Sequence, residues 1–221
     1  MLILSAGAMR TSLEWSFLRL GVAAVVVAGA CSPAGTSGPG NDGGANGDDG
    51  SEPTTPDGFV SATVGTGTQS PQCPLGSAMP WVTVGEATTG KPATVLSGNA
   101  GVTMTCSVRT SGNGFDVSAS VTATGSQGGS FTLVSPPGMG AVTVSGGQGI
   151  QASFGSTPAS ATYQESDCVL SFTYLGGPIP DSPSVFPGRI WGHISCPTAQ
   201  TAPSTTSCDA EADFLLEACE H

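Results

Sequence analysis

The residues best suited to chemistry lie in one short segment near the end of the chain, residues 187–196, with the sequence Pro-Gly-Arg-Ile-Trp-Gly-His-Ile-Ser-Cys. In a β-strand alternate side chains share a face, so Arg189, Trp191, His193 and Ser195 would form a row. An indole that stacks on a ligand, beside a guanidinium and an imidazole that donate hydrogen bonds, suits a sugar or a peptide. We therefore identify Arg189, Trp191 and His193 as a candidate ligand patch.

A second interpretation of the same segment needs no ligand. The strand would face solvent, and the preceding Gly-rich and Pro-rich loop, residues 176–187, would cover Trp191. Long loops commonly pack over sheet faces in this way, and one aromatic side chain is not by itself a platform. The sequence leaves both interpretations open.

The usual local signatures of an enzyme are missing from the sequence. There is no Gly-x-Ser-x-Gly, no Gly-x-x-x-x-Gly-Lys and no His-Glu-x-x-His. Paired carboxylates for glycoside hydrolysis meet in space rather than in sequence, and Glu86, Asp116, Glu165 and Asp167 are candidates for such a pair. We predict a binding or structural module without a catalytic residue, with a hydrolase of envelope polysaccharide or peptidoglycan as the alternative.

The N-terminal segment indicates export. Residues 20–30 are all apolar or Gly and follow Arg10 and Arg19, a run too short to cross a membrane as a helix, which takes roughly 20 residues. The small residues Ala28, Gly29 and Ala30 lead directly into Cys31. This pattern resembles the lipobox of bacterial lipoproteins.

The resemblance implies that residues 1–30 are a signal peptide, with Met9 as an alternative start, and that Cys31 is acylated after cleavage in front of it. Two or three acyl chains suffice for stable membrane anchoring. Ser32 follows the cysteine, which in lipoproteins of this type implies export to the outer membrane. The motifs after residue 58 assign the mature domain to no known family.

Composition divides the mature chain into a tether and one domain. Residues 31–58 are rich in Gly, Asp and Pro and lack large apolar side chains, so we expect a disordered tether. Residues 59–221 suffice for a single domain with a core. The whole chain carries a net charge of −11, with five basic residues against sixteen acidic ones. That balance excludes nucleic acid as a partner and leaves the membrane, a glycan or an envelope protein.

Hydrophobic periodicity after residue 58 is two. Residues 102–109 and 115–124 alternate apolar and polar side chains around the turn Ser111-Gly-Asn-Gly114, which predicts a hairpin. Similar short runs separated by Gly and Pro predict an all-β fold, an antiparallel sandwich or barrel of about 8–11 short strands. Residues 209–219 fit a closing strand, which we favour, or a helix.

The cysteines predict disulfides and not a metal site. Six cysteines remain after Cys31, an even number in an exported domain, which indicates three disulfides: Cys73, Cys106, Cys168, Cys196, Cys208 and Cys219. No Cys-x-x-Cys occurs and His193 and His221 are the only histidines, so we predict neither a metal nor a cofactor. Alternation turns Cys106, Cys168 and Cys196 inward, and Cys106 with Cys196 is the first pairing we expect.

Overall fold

The computed structural model describes residues 55–126 and 128–221, and over these ranges strands follow one another with no helix between them. Nine strands have six or more residues and five have two. They are β1 (Asp57–Gly65), β2 (Met79–Val84), β3 (Val95–Leu96), β4 (Val102–Ser111), β5 (Gly114–Ala123), β6 (Gly129–Val134), β7 (Val142–Thr143), β8 (Gly146–Ser156), β9 (Ala161–Ser171), β10 (Thr173–Tyr174), β11 (Gly177–Pro178), β12 (Val185–Phe186), β13 (Arg189–Gln200) and β14 (Ser207–Glu217). The predicted all-β class is therefore confirmed.

Twelve of these strands form one antiparallel sheet, whose main path runs β2-β1-β14-β13-β9-β8-β6-β5-β4, while β10 pairs with β11 alone. The sheet curls until its two halves face each other across the core. Phe131 of β6 and Phe214 of β14 are far apart along the sheet, yet their ring centroids lie 5.6 Å apart. Trp81 of β2 donates its Nε1–H to the carbonyl oxygen of Phe154 on β8 at 2.9 Å. The result is a sandwich-like fold made largely from one sheet.

The predicted hairpin forms with the expected register. Strands β4 and β5 pair from Val102 opposite Ala123 to Ser111 opposite Gly114. Gly112 in the turn has φ +57°, a left-handed conformation that glycine adopts without a Cβ clash. The apolar side of both strands is buried and the hydroxyl-rich side faces outward.

The last long segment is a strand and not a helix. Strand β14 lies in the middle of the sheet between β1 and β13, which bond to both of its backbone edges. Its inward side chains Ala210, Ala212 and Phe214 are fully buried. Alternation wins over the helix-forming composition because two neighbouring strands satisfy the backbone and the core takes the apolar face.

The end of the chain covers the edge of the sheet at β4. The N–H of Val108 donates to the carbonyl of Glu220 at 2.8 Å, and the N–H of Glu220 donates to the carbonyl of Cys106 at 3.0 Å. The N–H of Gly188 donates to the carbonyl of Val108 at 3.1 Å. An exposed edge is a template for unwanted pairing, and these contacts satisfy part of it.

All six cysteines of the domain are bridged, so the prediction of three disulfides is confirmed. The pairs are Cys73–Cys208, Cys106–Cys219 and Cys168–Cys196. The expected pairing of Cys106 with Cys196 is wrong. Strands β9 and β13 are neighbours, which brings Cys168 to Cys196 with 4.5 Å between Cα atoms, whereas Cys106 lies on the edge strand where the chain end delivers Cys219.

The domain begins slightly earlier than the sequence indicated. Strand β1 starts at Asp57, two residues before the expected boundary, because Asp57 pairs with Glu217 and accepts a hydrogen bond from Thr94 Oγ1 at 2.6 Å. The predicted signal peptide, the predicted acylation site Cys31 and the predicted tether up to residue 54 lie outside the described residues. In the described ranges the structure contains no helix long and apolar enough to cross a membrane.

Candidate functional site

The predicted ligand patch lies on the outward face of β13, but its tryptophan is inaccessible. Trp191 is 0% exposed and packs edge-on against Tyr174, with ring centroids 5.4 Å apart. Phe59 and Leu215 complete this outer cluster, and Ile179 from the 176–187 loop packs on it. Trp191 as a stacking platform is therefore a wrong prediction, and the alternative, in which the loop covers this residue, describes the structure.

The guanidinium of Arg189 is engaged in holding that loop. Its Nη2 donates to Asp181 Oδ2 in the loop at 2.7 Å, and its Nε lies 3.1 Å from Glu217 Oε1, an ion pair without hydrogen-bond geometry. Glu217 also pairs with Lys91 at 2.6 Å. The cation lies 5.7 Å from the ring centroid of Trp191. Because Arg189 is 7% exposed and its charge is met from two sides, it offers little to a ligand from solvent.

The imidazole of His193 is held between two carboxylates of β14. Its Nδ1 lies 3.2 Å from Asp213 Oδ1 and its Nε2 lies 3.6 Å from Glu211 Oε2. The hydrogen bond with Asp213 raises the pKa of His193, against the opposing effect of burial, and the charges of Asp213, Glu211 and Asp209 add to the rise. Across the described residues no hydroxyl is hydrogen-bonded to either ring nitrogen.

Two of the four candidate carboxylates for hydrolysis have structural partners. Asp116 accepts the backbone N–H groups of Gly138 at 2.8 Å and Gly140 at 3.1 Å, and these bonds, the first above all, lower the pKa of Asp116. Glu165 accepts two hydrogen bonds from Thr198, from N–H at 2.9 Å and from Oγ1 at 2.7 Å. Asp116 thus fixes a turn and Glu165 fixes the end of β13.

Glu165 and Asp167 share a second cleft, and Glu86 lies elsewhere. The cleft has a volume of about 660 Å³ and is lined by polar side chains that include Gln151, Gln164 and Gln200. Glu86 forms an isolated bridge with Ala93. The four carboxylates are therefore not gathered at one site.

Among the described residues one group of metal-ligand residue types comes together, but it is not a metal centre. Glu165, Cys168 and Cys196 have candidate ligand atoms within 4.8 Å of one another. The two cysteine sulfurs form a disulfide with each other, so neither is a thiolate that could bind a metal.

A different surface lies on the outward side of the other half of the sandwich, and the sequence pattern did not predict it. Register places ten Ser and Thr side chains on the outward side of strands β4, β5, β6, β8 and β9. We call this surface the hydroxyl face; it consists of Thr103, Thr105, Ser107, Ser118, Ser120, Thr122, Ser130, Thr132, Ser153 and Thr162. Between residues 92 and 164 the chain carries two charged residues, Arg109 and Asp116. This scarcity of charge is the sequence feature from which the surface could have been predicted.

A groove crosses the hydroxyl face. It has a volume of about 880 Å³, and its floor comes from β4, β5 and β6. The rim includes Pro56, next to the point where the chain enters β1, and the C-terminal residues up to His221. The lining residues are Pro56, Met104, Thr105, Cys106, Ser107, Arg109, Ser118, Ala119, Ser120, Thr132, Val134, Ala218, Cys219, Glu220 and His221.

Charge at the rim of the groove is balanced. Arg109 Nη2 donates to Glu220 Oε2 at 3.0 Å, and both side chains are largely exposed. Thr132 donates its hydroxyl to Ser153 at 3.0 Å. In the described structure the hydroxyls of Thr105, Ser107, Ser118 and Ser120 make no hydrogen bond with another protein group. The groove thus presents uncharged hydrogen-bond donors and acceptors to solvent.

No protein-family model matches the chain, and no curated protein and no solved structure matches it either.

Proposed function

We propose that this protein is a membrane-anchored envelope lipoprotein whose β-domain acts as a binding module. The observation that carries the binding role is the groove of about 880 Å³ on the hydroxyl face, next to the residue at which the domain joins the predicted tether. A concave site of this size is of the order that small ligands and short polymer segments occupy.

The anchor and the compartment have separate support. The apolar run before Cys31 and the small residues directly preceding it resemble a lipobox. Three disulfides brace the domain, and such bonds persist in oxidising compartments outside the cytoplasm. An outer-membrane location follows from Ser32 in this proposal, and the acidic chain requires lipid rather than surface charge to hold it at a membrane.

The anchor is tested by metabolic labelling. We expect the full-length chain to incorporate labelled palmitate and to partition into detergent, and we expect the Cys31→Ser variant to lose both properties. Ser32→Asp is the matched control, since it keeps the acylated cysteine and should redirect the protein to the inner membrane. Label in the Cys31→Ser variant would overturn the lipobox interpretation.

The hydrolase alternative has its own discriminating assay. Release of reducing ends from purified polysaccharide or peptidoglycan, abolished in Asp167→Asn or His193→Gln but retained in Asp116→Asn, would establish turnover and replace the binding role. We expect no turnover, because Asp213 and Glu211 flank the imidazole and Glu165 is bonded twice to Thr198.

A further inference from the structure

We propose that the groove on the hydroxyl face binds a neutral glycan chain. This inference rests on the binding role proposed above and names its site and its ligand class, but it does not depend on the lipid anchor.

The floor of the groove repeats along one direction. Thr105, Ser120 and Thr132 lie directly opposite one another on β4, β5 and β6 and form one row, and Ser107 and Ser118 begin a parallel row two residues away. Neighbouring strands are about 4.8 Å apart, so hydroxyl groups recur at nearly the length of one sugar unit in an extended glycan. A polymer of sugars presents hydroxyl groups at a similar repeat, and its hydrogen bonds to water can be replaced by hydrogen bonds to these side chains.

The electrostatics favour an uncharged partner. The chain as a whole is strongly acidic, with a net charge of −11, and it would repel a polyanion. Within the groove the positive charge of Arg109 is matched by Glu220 at 3.0 Å. A neutral glycan leaves that ion pair intact, and binding it does not require the desolvation of a charged ligand group.

The lining predicts the strength of binding as well as its class. None of the described residues that line the groove is Trp, Tyr or Phe, so sugar rings gain no stacking contact there. Val134, which is 41% exposed, provides aliphatic surface, and the hydroxyls provide hydrogen bonds that are individually weak in water. We therefore expect affinity to rise with chain length, with single sugars binding too weakly to detect.

The test is affinity electrophoresis of the oxidised full-length chain in mild detergent. Native gels contain hydroxyethylcellulose, laminarin or dextran as neutral polymers and alginate as the anionic control. We expect retardation by at least one neutral polymer and none by alginate. Retardation by none of the neutral polymers, or by alginate alone, overturns the inference.

Two matched double variants locate the binding. Thr105→Val/Ser120→Ala removes a cross-strand hydroxyl pair inside the groove and should weaken retardation about tenfold, the effect of two ordinary hydrogen bonds. Thr103→Val/Thr122→Ala removes the next pair on the same two strands, outside the groove, and should change it less than about twofold. Equal loss in both variants would overturn the assignment to the groove.

Three further outcomes separate this inference from the rest. Concentration-dependent dimerisation that Thr105→Val/Ser120→Ala abolishes would give the groove to a second copy of the chain and overturn the glycan. A chain that is retarded by a neutral polymer but takes up no palmitate supports the groove and overturns only the anchor. A chain that is acylated but never retarded overturns the groove alone.

Discussion

Both halves of the sandwich consist of strands with alternating apolar and polar residues, but their outward faces differ in the number of charged side chains and in how these are paired. On β14 the outward residues Asp209, Glu211, Asp213 and Glu217 form an acidic face, and neighbouring elements use it: His193 pairs with two of its members and Arg189 and Lys91 with a third. The ten side chains of the hydroxyl face are uncharged, with Arg109 and Asp116 beside them at one end of β4 and β5, and in the described structure most of its groove side chains lack a protein partner. The face that fixes loops is filled with paired charges, and the proposed binding face is not.

Two of the disulfides differ in the same way, since one joins the two halves of the sandwich and the other lies within one run of neighbouring strands. Cys106–Cys219 ties edge strand β4 to the end of β14 across 113 residues of sequence, whereas Cys168–Cys196 links adjacent strands across 28. Because a longer loop constrains the unfolded chain more, replacing the first pair by Ala should cost about 5 kcal/mol and the second about 3.5 kcal/mol. Urea unfolding followed by Trp fluorescence measures both. The reverse order would show that the halves hold together without the bridge.

The two arginines provide the next comparison. Arg189→Met removes a cation that is 7% exposed and leaves Asp181 and Glu217 without it, so we expect a loss of about 2 kcal/mol and faster proteolysis in the 176–187 loop. Arg109→Met breaks an exposed pair and should cost less than about 0.5 kcal/mol. Equal losses in urea unfolding would contradict the division between a structural face and a free one.

The acidic face also predicts a dependence of stability on pH. Asp213 raises the pKa of His193 in the folded state above its ordinary value of 6.5, so the protonated imidazole stabilises the fold. This contribution is fully present below pH 6.5 and is lost as pH rises through the raised pKa. The free energy of unfolding should therefore fall over that window, and the fall should disappear in His193→Gln. A His193→Gln protein with an unchanged slope would show that the pair with Asp213 does not form.

The smallest expected effect concerns the hydroxyl face itself. Thr103 and Thr122 are exposed and directly opposite, so Thr103→Glu/Thr122→Lys introduces an opposed pair of charges there. We expect the free energy of unfolding to change by less than about 0.5 kcal/mol, the usual range for an exposed ion pair. A loss of more than about 2 kcal/mol would mean that folding, and not ligand binding, keeps this face neutral.

The sequence was sufficient where one periodicity acted alone. The hairpin of β4 and β5 follows from strict alternation around Ser111-Gly-Asn-Gly114. For β14 the sequence favoured a strand but left a helix open, and pairing with β1 and β13 decided between them. The number of disulfides follows from an even count of cysteines. The hairpin depends on near neighbours in the chain and the number of disulfides on counting, and neither requires knowledge of which strands meet.

The sequence was insufficient where strand order decides. Cys106 and Cys196 both face the core, as alternation requires, but the order of the sheet gives them different partners. The same holds for Trp191, which alternation places correctly on the outward face. The loop that follows β11 then packs over that face, since burying an indole is worth more than exposing it.

The sequence by itself determined the all-β class, the core-facing positions and the charge of each segment, because the period of two and the composition are local properties. Only the tertiary structure decided that the strands rich in Ser and Thr lie side by side, so that scattered hydroxyl side chains become one surface with a groove. The same packing covered Trp191 and placed His193 between Asp213 and Glu211. Those outcomes depend on contacts between residues distant in sequence, which alternation along one strand does not encode.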